Sequence, residues 1–157
     1  MPNKLPSLDT VAQTLRAFVR REVTVTPAAR TGAGLLPLGG LYHDGQQRPV
    51  AACLSDVGFA AASSAAFALI PARVAAESAT AKRLDESLAE IFAEVLNVLS
   101  RLFTSHDDAR VTLAAKFLPP QALPAELASL GPDQCLDLDV EIDGYGTGRL
   151  VLCALPS

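Results

Sequence analysis

The most regular pattern of apolar residues in the chain extends from about Lys82 to Phe103. Within it, apolar side chains recur every three or four positions and occupy an arc of about 140° on a helical wheel. This spacing predicts a helix that packs one face against a core, and we expect a short turn over Ala72–Ala79 to precede it. The apolar positions are Leu84, Leu88, Ile91, Phe92, Val95, Leu96, Leu99, Leu102 and Phe103.

Two shorter helices are predicted upstream of this segment. Ser7 is followed by apolar residues at helical spacing, so it is expected to cap the first of them. The second is predicted from Val57 to about Ile70, because Ser55 or Asp56 can cap its start and Pro71 ends it.

Alternating or β-branched segments bounded by turn residues predict the strands. Asp44-Gly45 is a hairpin turn signal between two of them, and the glycine-rich stretch 143–148 joins the last two. Together with the helices, these elements indicate an α+β domain with long helices packed on one face of a largely antiparallel sheet. The predicted strands are Val23–Thr26, Leu41–His43, Pro49–Leu54, Ala109–Leu118, Cys135–Ile142 and Leu150–Leu155.

The composition narrows the class of protein. A length of 157 residues suits a single domain over residues 1–157, and contents of 50% hydrophobic and 19% charged residues exclude an intrinsically disordered chain. The formal net charge of −4 indicates no basic surface for nucleic acid, and 5% aromatic residues argue against a platform that stacks bases. We therefore expect a compact acidic domain that does not bind nucleic acid.

The chain is also expected to be cytoplasmic and to have no membrane partner. Its first residues lack the apolar core and cleavage pattern of a signal peptide, and the most apolar window, Ala51–Ala76, is interrupted by charged residues and serines. Cys53, Cys135 and Cys153 are widely spaced, with no CxxC or Cys/His pair. We therefore expect reduced thiols and no zinc or other metal site.

A polar stripe lies nearly opposite the apolar face of the long helix. Glu90, Glu94, Asn97 and Arg101 follow one another at intervals of about one turn, within roughly 60° on the wheel. A solvated face held by pairs one turn apart is the simplest interpretation of such a stripe. Asn97 does not suit that interpretation well, because asparagine favours caps and turns over the interior of a helix.

The spacing Glu90-x3-Glu94-x2-Asn97, with Pro120 after 22 further residues, resembles the active-site signature of the CheC/CheX family of chemotaxis phosphatases. That signature has Asp or Ser, then Glu, Asn and the distal proline. The order of predicted elements over residues 8–155 is also similar to the family. One copy of the signature is present, as in CheX, whereas CheC-type members carry two.

The resemblance implies a CheC/CheX-like fold and a CheX-like phosphatase acting on a phosphorylated response regulator receiver of the CheY type. Asn97 would hold the attacking water and Glu94 would pair with the receiver's active-site lysine. Glu90, at the rim of the interface, is assigned to binding together with Arg101 and Pro120. No cofactor of its own is implied, because Mg²⁺ belongs to the partner receiver, and a homodimer is expected.

Two departures from the signature leave alternatives open. Glu90 replaces the usual Asp, and the segment from Val98 to Arg101 stands where family members often have small residues. Arg101 could obstruct the site or attract an acidic partner. The alternatives to a phosphatase are a non-catalytic module that docks a receiver or another signalling or flagellar protein, and a structural homodimer whose signature is residual.

Overall fold

The computed structural model describes residues 5–29, 36–103, 111–119, 124, 127 and 133–155. The helices are α1 (Leu8–Val19), α2 (Val57–Ala68), α3 (Ala72–Ala81) and α4 (Glu86–Leu99), which continues as a 3₁₀ turn over Ser100–Leu102. The strands are β1 (Val23–Pro27), β2 (Leu38–His43), β3 (Pro49–Ser55), β4 (Thr112–Phe117), β5 (Cys135–Ile142) and β6 (Gly146–Ala154). None of the helices in these ranges combines the length and the hydropathy needed to cross a membrane.

The strands form one six-stranded sheet in the order β1-β5-β6-β3-β2-β4. Every neighbouring pair is antiparallel, and the hairpins β2-β3 and β5-β6 meet at the centre through β3 and β6. The edges are β1, which contains Pro27, and β4. The α+β architecture predicted from the sequence is confirmed.

The main core lies between one face of the sheet and helices α1, α2 and α4. Helix α3 packs against α2 and the start of α4 through a small cluster that joins Ala61, Ala65, Ala75 and Leu88. The opposite face of the sheet carries a second apolar cluster. Its buried members are Leu36, Ala52, Leu54, Phe117, Leu127, Val151 and Cys153.

Helix α2 lies unusually close to the sheet. It is rich in alanine, and nine of its residues are buried. A side chain at Gly148 in β6 would overlap the backbone of Gly58 and Phe59 at the start of the helix. The side chain of Asp56 caps this start by accepting from the Phe59 amide at 2.8 Å.

Several boundaries differ from the sequence prediction. The segment 72–81 is a helix and not a turn, and α4 begins at Glu86 behind the Asp85 cap and not near Lys82. Lys82 has a left-handed backbone, with φ of 53°, and its amide closes the end of α3. The long helix was therefore predicted about one turn too long at its start, and it tightens into a 3₁₀ turn at its end.

Two strands also begin earlier than predicted. Strand β2 begins at Leu38 and includes Gly39 and Gly40, while β6 begins at Gly146 inside the predicted turn. Of the apolar residues predicted on the long helix, Ile91 and Leu84 are only half-buried. The predicted strand over 109–118 is shortened to β4 among the residues described.

Candidate functional site

The polar stripe along α4 and its 3₁₀ turn faces outward, because the opposite face of the helix packs against the core. Leu88, Phe92, Val95, Leu96 and Leu99 are buried on that side. The stripe, on the side away from these residues, then points to solvent by helical geometry. Glu90, Glu94, Asn97 and Arg101 are all exposed.

Three of the four stripe residues line one groove of about 390 Å³, here called the α4 groove. These are Glu94, Asn97 and Arg101, and the rest of the lining is Val98, Ser100, Phe103 and Val111. Glu90 is exposed one turn earlier but does not line the groove. The predicted binding residue Pro120 lies outside the described residues.

Asn97 lies where the α-helix tightens into the 3₁₀ turn. The Ser100 amide donates back to the carbonyls of Asn97 and Val98, and the Ser100 hydroxyl donates to the Asn97 carbonyl at 2.6 Å. In the described part of the chain, the side chains of Asn97 and Glu94 make no hydrogen bond or ion pair. The backbone of Asn97 is thus fixed while its carboxamide is available to a ligand.

The sheet holds this turn in place through Tyr42, a residue to which no pattern in the sequence assigns a functional role. Its hydroxyl donates to the Leu96 carbonyl at 2.6 Å and lies 3.4 Å from the Cys53 sulfur. Tyr42 is fully buried in β2, and this burial, with a smaller contribution from Cys53, raises its pKa well above the usual value. The neutral phenol therefore persists as a donor to the residue immediately before Asn97.

A larger groove of about 1060 Å³ lies on the other side of Arg101. This α1/α2 groove is formed by the C-terminal ends of α1 and α2, and it shares Val98 and Arg101 with the α4 groove. Its apolar wall contains Phe18 and Phe67, whose rings stack at 4.1 Å between centroids. Beside them, Leu69 is 79% exposed, which is unusual for a large apolar side chain.

The α1/α2 groove is more basic than the chain as a whole. Arg20, Arg21 and Arg101 line it against a single acidic residue, Asp143, although the whole chain has a net charge of −4. The Arg21 guanidinium lies 4.9 Å from the centre of the Tyr145 ring. No ion pair joins Arg20 or Arg101 to an acidic group of the described residues. The surface beside the stripe therefore suits an acidic partner with an apolar patch.

The sequence carried only weak signals of these additional features. Tyr42 is one of two tyrosines, and it was assigned to a strand without a role. Phe18 is one of the apolar residues at helical spacing after Ser7, which indicates a buried side chain, and the structure leaves it half-buried. An apolar Leu69 just before the helix-breaking Pro71 is the one local hint that this helix end remains uncovered.

Comparisons with known proteins identify the fold. No family model and no curated protein matches the chain. The FliM middle domain of Vibrio alginolyticus aligns at 10% identity over 95% of this chain and 88% of that chain, with a TM-score of 0.58. FliY of Thermotoga maritima aligns at 10% over 94% and 83%, with a TM-score of 0.53. A chain of the FliG–FliM complex from H. pylori aligns at 11% over 94% and 85%, with a TM-score of 0.52. The chain therefore has the CheC/FliM-like fold, with four helices and a six-stranded antiparallel sheet.

Proposed function

We propose that the chain is a cytoplasmic, CheX-like phosphatase that hydrolyses the aspartyl phosphate of a CheY-type receiver in bacterial chemotaxis or two-component signalling. The observation that carries this proposal is the α4 groove, where Glu94 and Asn97 lie one turn apart with both side chains available. The signature spacing resembles that of the CheC/CheX family, and the CheC/FliM-like fold is compatible with it.

The chemistry requires little of the phosphatase beyond placing water. Water attacks the phosphorus, the bond from phosphorus to the aspartyl oxygen breaks, and inorganic phosphate leaves together with a free carboxylate. Acyl phosphates are already activated, so orientation of the water is the main contribution expected of the protein. The Asn97 carboxamide suits this role, because it can donate and accept hydrogen bonds but does not compete as a nucleophile. Mg²⁺ would be supplied by the receiver.

Glu94 and Arg101 would set how the receiver docks. Glu94 lies one turn before Asn97 and would pair with a lysine of the receiver, which fixes the register of the two proteins. Arg101 lies between the two grooves, so an acidic receiver in the α4 groove would contact its guanidinium at the border with the α1/α2 groove. Glu90, outside the groove lining, would contact the rim of the same interface.

A second candidate is a non-catalytic module that docks a receiver or a flagellar protein. The structural comparisons favour it, because the fold matches FliM and FliY, and FliM of H. pylori was crystallised with FliG. Arg101 in the lining of the α4 groove also favours it, since its side chain occupies space beside the position proposed for water. The two candidates share a docking surface and differ in whether the chain hydrolyses the aspartyl phosphate of a bound receiver.

The decay of a phosphorylated receiver under single-turnover conditions tests the proposal. Excess wild-type protein should accelerate the decay, and Asn97→Ala should slow it by about 10²–10³-fold, the loss typical of one preorganised polar contact in a transition state. Receiver affinity and thermal stability should change little. Glu94→Gln should weaken both binding and turnover, while Glu86→Gln, an exposed glutamate in the first turn of α4, is the matched control.

Two outcomes would overturn parts of this proposal. Binding without accelerated decay for any receiver of the same organism would replace the phosphatase with the docking module. Accelerated decay that Asn97→Ala leaves unchanged would show that another residue places the water.

A further inference from the structure

Two of the three cysteines stand opposite each other on neighbouring strands. Cys135 in β5 pairs directly with Cys153 in β6, and their Sγ atoms lie 2.8 Å apart. Both are reduced in this structure. The residues are 18 positions apart in sequence, so only the pairing of the hairpin brings them together.

The register places this pair at a site suited to a covalent bridge. The adjacent cross-strand pair is hydrogen-bonded, since the Ala154 amide donates to the Gln134 carbonyl at 2.8 Å. Hydrogen-bonded and non-hydrogen-bonded pairs alternate along an antiparallel ladder, so Cys135 and Cys153 form a non-hydrogen-bonded pair. The Cα atoms of such a pair lie about 4.5 Å apart, inside the range that disulfides span.

The two sulfurs differ in their access to solvent. Cys135 is half-buried, whereas Cys153 is fully buried in the cluster on the face of the sheet opposite the helices. The hydrogen bond to Cys135 and burial both raise the pKa of Cys153. Cys135 is therefore the sulfur that a reagent in solvent reaches first.

Cys53 is a natural internal control. It is also fully buried, but it belongs to the main core and contacts the Tyr42 hydroxyl. Burial raises its pKa to about 11. Since it lies on the helix-facing side of the sheet and Cys153 on the other, it cannot replace either member of the pair without breaking the sheet.

We propose that Cys135 and Cys153 form a reversible cross-strand disulfide by thiol–disulfide exchange with a small disulfide such as oxidised glutathione. The Cys135 thiolate attacks one glutathione sulfur, which forms a mixed disulfide and releases one glutathione thiolate. Cys153 then loses its proton and attacks the Cys135 sulfur, which releases the second glutathione. Two protein thiols are oxidised by two electrons, and one glutathione disulfide is reduced to two thiols.

Mass spectrometry of the folded chain exposed to oxidised glutathione tests this proposal. The expected product has lost two hydrogen atoms and regains them with dithiothreitol. Trypsin cuts after Lys116 and Arg149, so the peptides 117–149 and 150–157 should remain joined until reduction. The peptide with Cys53 should stay unlinked.

Variants separate the two steps. Cys153→Ser should stop at a glutathione adduct on Cys135, whereas Cys53→Ser should form the same disulfide as the wild type. In denaturant the selectivity should disappear, because Cys53 becomes available and other pairings form. These outcomes depend on the hairpin register and not on the proposed function.

The proposal fails if folded protein under these conditions gives only a stable mixed disulfide, or if Cys53 is part of the linked peptides. It also fails if no thiol reacts while the protein remains folded. Because peptide mapping uses the wild-type chain, the test stands even where a serine variant is poorly folded.

Discussion

At the scale of single residues, Tyr42 connects the sheet to the proposed site. Its hydroxyl reaches the Leu96 carbonyl at the point where α4 changes to a 3₁₀ turn. The Ser100 amide, which would donate to the Leu96 carbonyl in a regular α-helix, donates to the carbonyls of Asn97 and Val98 instead, so the phenol supplies a donor where the regular helix ends. Loss of that donor would leave a buried carbonyl unsatisfied and loosen the turn that presents Asn97.

Tyr42→Phe is therefore expected to affect both stability and turnover. The free energy of unfolding should fall by about 1–3 kcal/mol, the usual cost of an unsatisfied buried polar group. Turnover should fall several-fold with receiver affinity nearly unchanged. Tyr145→Phe is the matched control, because that hydroxyl donates to the Ile70 carbonyl at 2.9 Å. Chemical denaturation and the decay assay measure the two effects, and equal turnover losses in both variants would contradict a positioning role for Tyr42.

Two adjacent serines in α2 give a second prediction at this scale. Ser63 and Ser64 are both fully buried, and the Ser63 hydroxyl donates to the Phe59 carbonyl at 2.8 Å. The Ser64 hydroxyl has no hydrogen-bond partner among the described residues. Ser64→Ala should stabilise the fold by about 1 kcal/mol, and Ser63→Ala should not. Thermal unfolding of the two variants decides this, and a destabilised Ser64→Ala would reveal a partner for that hydroxyl.

At the scale of elements, periodicity predicted those that have strong local signals. The apolar repeat of α4, the capped start of α1 and the alternating terminal hairpin were all located to within a few residues. Helix α3 was missed, because Pro71 at its N-cap offers no side-chain hydrogen bond and its apolar face is mostly alanine. The boundary between α3 and α4 depends on the left-handed backbone of Lys82, which local sequence does not indicate.

Contacts between distant parts of the chain explain the early start of β2. Glycine is a weak strand former, so the predicted strand Leu41–His43 leaves out Gly39 and Gly40. A Cβ atom at Gly40 would lie 3.0 Å from the Leu113 side chain and 3.4 Å from the Leu96 side chain. Glycine there relieves crowding that arises only after β4 and α4 have packed, and no local pattern reveals it.

The close approach of α2 to β6 gives a prediction at the same scale. Gly148→Ala places a methyl group against the backbone of Gly58 and Phe59, so helix and strand must separate. We expect a loss of at least about 3 kcal/mol, in the range of severe overpacking. Gly45→Ala in the β2-β3 turn is the control, since a Cβ atom there meets nothing within 4 Å. Urea denaturation compares the two variants. A Gly148→Ala variant as stable as the control would contradict the prediction, because it would show that α2 can move away from β6 with little loss of stability.

At the scale of the whole molecule, the stripe could be predicted and its surroundings could not. One helix carries Glu94 and Asn97, so a helical wheel was enough to place them on one exposed face. The α1/α2 groove combines the ends of two helices with Arg101. These parts are distant in sequence and meet only through packing on the sheet, which single-sequence patterns do not specify.

The homodimer implied by the family resemblance is a prediction at this scale. Sedimentation at micromolar concentration should show a species of twice the 16.4 kDa monomer mass. Strand β1 contains Pro27, which lacks an amide donor, so β4 is the edge left for pairing with a second copy. Amide exchange in β4 should then slow with rising concentration while exchange in β1 stays constant. A species of monomer mass alone would contradict the dimer.

The shared border of the two grooves has a thermodynamic consequence. Val98 and Arg101 belong to both linings, so a molecule that moves the Arg101 guanidinium from one groove changes the space and charge of the other. The binding free energies at the two surfaces are then linked, and the factor by which one ligand alters the affinity of the second must equal the reverse factor. A short acidic peptide held beside Phe67 and Leu69 would thereby act as an effector of whatever occupies the face around Asn97, and Arg101→Ala would uncouple the pair.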